Sequence, residues 1–314
     1  LLGDLGSPRP HLTVHVQPET LAMLNLFKTL VVIGGLFGAV AAQPAQAVEP
    51  TRFTVEVRGE GPDVILIPGL ASSRAVWADT AARLEGRYRV HLIQVSGFAG
   101  EPARGNADGP VVPPLADEIA AYVKASGLRR PAVIGHSMGG LTALMIAQRH
   151  PGLADRIMIV DALPFFSVLM GPTMTVETVT PRAAGLRDML IGQSPEAFAA
   201  GQAQSMVGLV KSPQGRLDAL AWSKATDRTV MARAMYDVMT TDLRPVLATV
   251  QTPVTVVYAR DDAMGIGAGF VQPLYEANYA ALPDKTLVVV DGALHFVMLD
   301  QPAAFAATVE RFLK

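Results

Sequence analysis

The chain has 314 residues, half of them hydrophobic and 17% charged. That much apolar material buries a large core and excludes a disordered tail, a collagen-like repeat or a small stapled scaffold. With 26 Lys and Arg against 28 Asp and Glu, the net charge is −2, and no basic run exceeds Arg129-Arg130, so nothing marks a nucleic-acid partner. The lack of cysteine removes disulfides, thiolate metal sites and cysteine nucleophiles together, leaving covalent catalysis to Ser, Thr, Lys or a carboxylate.

The first methionine is Met23, and residues 1–22 read as sequence upstream of a start. From Met23, Lys28 precedes an apolar stretch from Thr29 to Ala42, followed by Gln43-Pro44 and the small-x-small ending Ala45-Gln46-Ala47. These are the parts of a signal peptide, expected over 23–47 with cleavage after Ala47. The apolar run is shorter than the roughly 20 residues that span a bilayer. The mature chain is therefore expected to start at Val48, to be exported to the periplasm or the medium, and to keep no stable membrane span.

Beyond Val48, short apolar runs alternate with stretches of helical periodicity. Strands are expected at 52–57, 63–67, 90–95, 131–134, 157–160, 254–258 and 286–290, and helices at 78–84, 115–126, 138–150 and 302–313. Continuous apolar runs suit strands buried on both faces, and the alternation gives an α/β fold with a mostly parallel sheet. It breaks once, over 162–250, where helix-favouring residues are punctuated by proline and glycine. That stretch reads as a helical cap dividing a core into 48–161 and 251–314. It carries Met170, Met174, Met189, Met206, Met231, Met235 and Met239, with Phe165, Phe166, Leu169 and Phe198 near its start. The methionines either fill gaps in its packing or form a soft apolar wall over a pocket.

The strongest chemical signal is Gly135-His136-Ser137-Met138-Gly139, between a strand run and a helical stretch. A G-x-S-x-G in that setting is a nucleophile elbow, where the serine sits on a sharp strained turn and its Oγ projects above the sheet. Gly135 and Gly139 are the elbow glycines, needed because side chains there would meet neighbouring backbone. Ser137 is thus the candidate nucleophile. The chain order on such a turn is Ser, acid, His, and of the six histidines His295 alone lies downstream of the last long strand, as the general base. The acid is expected in the loop after the preceding strand: Asp262 first, Asp261 in reserve. Asp161, ending the strand before the cap, is a third carboxylate, read as ordering the cap entrance. Backbone N–H groups of Met138, after the nucleophile, and Leu70, in Pro68-Gly69-Leu70, are the candidate oxyanion donors.

These residues resemble the α/β-hydrolase superfamily, in its lid-bearing carboxylesterase and lipase-like branch, over residue 52 to Lys314. The resemblance rests on Pro68-Gly69-Leu70, the elbow around Ser137, the cap, Asp262 and His295, with Gln94 to Phe98 similar to the family's fourth-strand loop. Two positions depart from the pattern: Pro-Gly replaces the frequent His-Gly, and Leu294 replaces a usual small residue before the histidine. The resemblance implies an eight-stranded-type sheet flanked by helices, a cap inserted after strand six, and serine-dependent ester hydrolysis through an acyl-enzyme, without cofactor or metal. The implied substrate is a small-molecule or polymeric ester, with a short to medium acyl or an aryl group. Perhydrolases, lactonases, thioesterases and carbon–carbon bond hydrolases share the triad and stay as alternatives. A non-catalytic ligand-binding protein stands further off, and a serine at the elbow speaks against dehalogenases and epoxide hydrolases, which place an aspartate there.

Overall fold

A strand run such as Val64 to Ile67 has no polar face to offer water, so it folds only where both sides are covered. The computed structural model describes residues 49–264 and 267–314, and it builds one sheet from such runs. The expectations for 1–22 and for a signal peptide over 23–47 lie outside the described residues. The strands are β1 (Phe53–Arg58), β2 (Asp63–Ile67), β3 (Arg89–Val95), β4 (Ala132–His136), β5 (Arg156–Val160), β6 (Val254–Arg260) and β7 (Lys285–Asp291), in spatial order β1-β3-β2-β4-β5-β6-β7. β1 pairs antiparallel with β3, and every other neighbouring pair is parallel. The family pattern led us to expect eight strands and a cap after the sixth. Among the described residues there are seven, because a single antiparallel strand leads into the parallel set, and the long helical insertion follows the fifth.

The helices are α1 (Ala78–Leu84), α2 (Val112–Ala125), α3 (Met138–Arg149), α4 (Val176–Gly192), α5 (Pro195–Leu209), α6 (Pro213–Lys224), α7 (Arg228–Thr240), α8 (Ala268–Asn278), α9 (Val297–Asp300) and α10 (Pro302–Phe312). Side chains alternate across each strand, so Ile65 and Ile67 join one apolar cluster with α2, α3 and α8, while Val64 and Leu66 join another with α1 and α10. Helix α2 starts three residues before the expected position, since Pro113 and Pro114 fit a first turn where no N–H partner is required. Helix α8 went unanticipated. Gly267 and Gly269 open it and Pro273 lies inside it, residues that read as breakers.

Helices α4 to α7 fill the insertion between β5 and β6, and caps define their starts: Thr175, Ser194, Ser212 and Asp227 each accept a backbone N–H with the side chain. The buried Asp237 of α7 accepts the Val111 and Val112 N–H groups at 2.6 and 2.9 Å, tying the insertion to the start of α2. Burial pushes its carboxyl above the ordinary range, against the pull of those two donors. No helix among the described residues is long and apolar enough to cross a membrane.

Candidate active site

β4 runs straight into α3, and the residue between them is Ser137, held at φ 54° and ψ −120°. That left-handed backbone is costly for a side-chain-bearing residue and persists only where the surroundings impose it. Here they do: a Cβ at Gly135 would lie 2.1 Å from the Gly139 carbonyl oxygen, and one at Gly139 would lie 2.3 Å from that of Ile67. Only glycine permits the strand, the turn and the helix to close on one another. The Ser137 N–H donates to the Val160 carbonyl at 2.9 Å, which fixes the turn against β5.

Register does the rest. His136 pairs with Val160, so the next residues on these two parallel strands, Ser137 and Asp161, emerge side by side above the sheet. The loop after β7 brings His295 to the same place, where its Nδ1–H donates to Asp161 Oδ2 at 2.7 Å. Asp161 is 9% exposed, and its other oxygen accepts the Ala259 N–H and the Tyr275 hydroxyl, each at 3.0 Å. With Nδ1 carrying the proton, Nε2 of His295 is left as the basic nitrogen. Ser137, Asp161 and His295 all line one cavity of about 250 Å³.

The carboxylate at His295 is therefore Asp161, which corrects the expectation of Asp262 or Asp261. β5 and β6 pair only as far as Val160 and Val257, whereas β6 continues beside β7 to Arg260. Asp262 lies three residues past Ala259, about 10 Å along an extended chain, and it is exposed. Asp261 turns instead to the Lys211 Nζ, at 2.5 Å, and that ammonium and the Ala263 N–H hold its carboxyl below the ordinary range.

The turn Pro68-Gly69-Leu70 packs against the elbow so closely that a Cβ on Gly69 would be 3.2 Å from the Ser137 Cβ. Among the described residues the Leu70 and Met138 N–H groups have no hydrogen-bond partner, so both are available to a ligand. Met138 also lines the cavity. Against these observations stand the known proteins. A model of the alpha/beta hydrolase family matches residues 64–308. The chain belongs to the α/β-hydrolase family.

Its relatives include a pimeloyl-[acyl-carrier protein] methyl ester esterase of Aeromonas hydrophila, 29% identical over 264 residues, which cover 83% of this chain and 98% of that one. Among solved structures, a thermophilic esterase from Thermogutta terrifontis matches with a TM-score of 0.70 at 18% identity, over 86% of this chain and 98% of its own. The enol-lactonase from Burkholderia xenovorans LB400 matches with a TM-score of 0.67 at 21% identity, over 83% and 96%. At these identities the structures show the fold. This α/β hydrolase is an enzyme of the hydrolase class.

Apart from the three polar side chains above and the Tyr275 hydroxyl, the wall of the hydrolase's cavity is apolar: Leu141, Leu163, Phe166, Leu169, Val238 and Leu274 are typical of it. The methionines of the insertion take no part. Met206, Met231 and Met239 are buried in packing, while Met170 and Met189 face outward. The buried ones fill gaps in the insertion's packing, and the methionines on the wall, Met138 and Met264, come from outside it. Sequence reasoning also missed Tyr275, because its helix was missed. The spacing Val271, Tyr275, Tyr279 was the available signal, an i, i+4 apolar row interrupted by Pro273.

Proposed function

We propose that this hydrolase is a serine carboxylesterase for esters with an uncharged, apolar acyl or aryl group. The observation that carries this reading is the 2.7 Å contact between His295 and Asp161 in the cavity that Ser137 lines. In this reading Ser137 Oγ attacks the ester carbonyl carbon while His295 Nε2 takes its proton and Asp161 steadies the imidazolium that forms. The oxyanion lies between the Leu70 and Met138 N–H groups. The imidazolium then protonates the leaving alkoxide, and the alcohol departs from an acyl-Ser137. Water deprotonated by His295 attacks that acyl group, and collapse returns the proton to Ser137 and frees the acid. The ester chemistry in the name of the Aeromonas relative supports this reading. The leader pattern over 23–47 supports export, which the N-terminal sequence of the mature protein tests: it should begin at Val48.

The test is steady-state hydrolysis of p-nitrophenyl esters from acetate to palmitate by wild type and variants. Ser137→Ala and His295→Ala should each lose about 10⁶-fold in kcat, and Asp161→Asn about 10⁴-fold, as acyl-transfer triads do. Asp262→Asn should keep wild-type turnover. Full activity in Ser137→Ala would refute the mechanism, and full activity in Asp161→Asn would refute the assignment of the acid.

A further inference from the structure

Asp161 has a donor that the three-residue scheme does not use. Its Oδ1 accepts the Tyr275 hydroxyl of α8 at 3.0 Å, while Oδ2 accepts His295 Nδ1–H. Four residues on, the Tyr279 hydroxyl donates to the Ala162 carbonyl at 2.8 Å. Two phenols one turn apart thus clamp the Asp161-Ala162 corner, where Asp161 holds a left-handed φ of 47°. Such a conformation costs free energy and persists where the surroundings over-determine it. The rings of Tyr258 and Tyr275 stack with centroids 4.5 Å apart, and those of Tyr275 and Tyr279 at 6.3 Å, so the hydroxyl is held in place by its own packing.

We propose that Tyr275 is a positioning residue for ester hydrolysis, whose hydroxyl fixes the Asp161 carboxylate and draws on its charge, thereby setting the aim and the basicity of His295. This rests on reading Ser137, His295 and Asp161 as the triad. With Oδ1 occupied by the phenol and the Ala259 N–H, the carboxylate presents Oδ2 alone to the imidazole. Without the phenol, more negative charge faces the imidazolium, which then gives its proton less readily to the leaving alkoxide. Burial, and after it the Asp161 charge, push the Tyr275 hydroxyl well above its ordinary pKa, so it stays a donor throughout the working range. The titratable groups at this corner are His295 from the loop after β7, Tyr275 and Tyr279 from α8 and its end, and Tyr258 from β6 stacked on Tyr275. His136 faces His295 from β4, with ring centroids 4.6 Å apart. Glu276, Arg260 and Asp291 act on Tyr258 from outside.

The experiment is the pH dependence of p-nitrophenyl butyrate hydrolysis by wild type, Tyr275→Phe, Tyr279→Phe, Asp161→Asn and enzyme carrying 3-fluorotyrosine at position 275. Tyr275→Phe should lower kcat about ten-fold, the scale of one hydrogen bond to a charged group, with KM little changed. It should also move the acid-side midpoint of kcat/KM to higher pH. The fluorinated phenol is a stronger donor and should move that midpoint the other way. Tyr279→Phe should lower the melting temperature and leave the midpoint in place, which a purely structural role for Tyr275 would mimic. Wild-type kcat and midpoint in Tyr275→Phe, with Asp161→Asn inactive, would overturn the role of Tyr275 and leave the triad standing. An active Asp161→Asn would overturn both. Should Tyr275→Phe not fold, the fluorotyrosine enzyme decides alone, and an unmoved midpoint overturns the proposal.

Discussion

His136 shows how much a single position in the elbow carries. It is fully buried beside Ser137, and its Nε2 lies 3.0 Å from the His295 carbonyl, an acceptor, so that nitrogen bears the hydrogen. Nδ1 has no partner among the described residues. Protonating it would bury a charge and an unpaired donor together, and burial, followed by the His295 charge, accordingly pushes the pKa well below its ordinary value. A histidine whose folded pKa is depressed binds its proton better when unfolded, so stability is full above about pH 6.5 and falls as pH drops below it, by up to roughly 1.4 kcal/mol per pH unit. His91, enclosed by Asp63 and Tyr122 beneath the other end of the sheet, is shifted the same way by burial and adds to the slope. Urea midpoints measured at pH 7.5 and pH 5.5 should therefore separate in wild type and draw together in His136→Gln, and an unchanged separation would discount His136. Ser137 and His295 were legible in the sequence because a turn motif and a chain order select them without knowledge of strand lengths. Asp161 was not, because choosing among carboxylates after β5 and β6 requires knowing how far each strand runs.

Among the elements, α5, α6 and the histidine loop meet at one carboxylate. Asp300 Oδ1 accepts the Lys211 and Ser212 N–H groups at 2.9 and 2.8 Å, and Oδ2 accepts the Leu294 N–H at 2.9 Å. The Phe296 N–H donates to the Leu209 carbonyl at 3.2 Å, and Lys211 reaches Asp261 in the loop after β6. The insertion is thus fastened next to His295, and Gly208 and Leu209 of the same stretch line the cavity. Asp300→Ala should cost about 2 kcal/mol and lower the melting temperature by roughly 5 °C. It should also lower kcat, since the residue before His295 loses its anchor. A calorimetric scan paired with turnover checks this, and a variant as stable and active as wild type would show that the junction is held elsewhere. None of it was legible, for Asp300 carries no motif and its partners are backbone groups 89, 88 and 6 residues away.

Over the whole molecule, β2 to β6 could be read because each is largely buried on both faces and so spells a continuous apolar run, while the edge strands β1 and β7 showed through the alternation of Phe53 to Val57 and the short apolar run Leu287 to Val290. Helix α8 could not, its start being rich in glycine and its interior holding a proline. The charge distribution is equally plain: the molecule is nearly neutral, and among the described residues no Lys or Arg lines the cavity. In the proposed reading, such a wall offers the acyl chain no side-chain ammonium or guanidinium with which to pair a carboxylate. The kcat/KM for a neutral ester should hold steady from about 0.01 M to about 0.5 M salt, a range over which exposed charges are progressively screened. A half-ester with a free carboxylate at the far end of its acyl chain should be hydrolysed at least about ten-fold less efficiently than the corresponding diester. Equal efficiencies would locate a cation in the binding mode that the cavity wall does not supply.

The acid's place at the end of β5 has a consequence for how this protein can diverge. With Asp161 as the carboxylate that contacts His295, the proposed mechanism asks nothing of the carboxylates in the stretch after β6. That stretch bears Met264 on the cavity wall and Asp261 on the Lys211 tether. In the proposed acyl-transfer reading, exchanges at Ala263 and Met264, which spare the Asp261 tether, should alter the range of accepted substrates before they alter turnover, which makes these two positions a natural target for laboratory libraries seeking new selectivity.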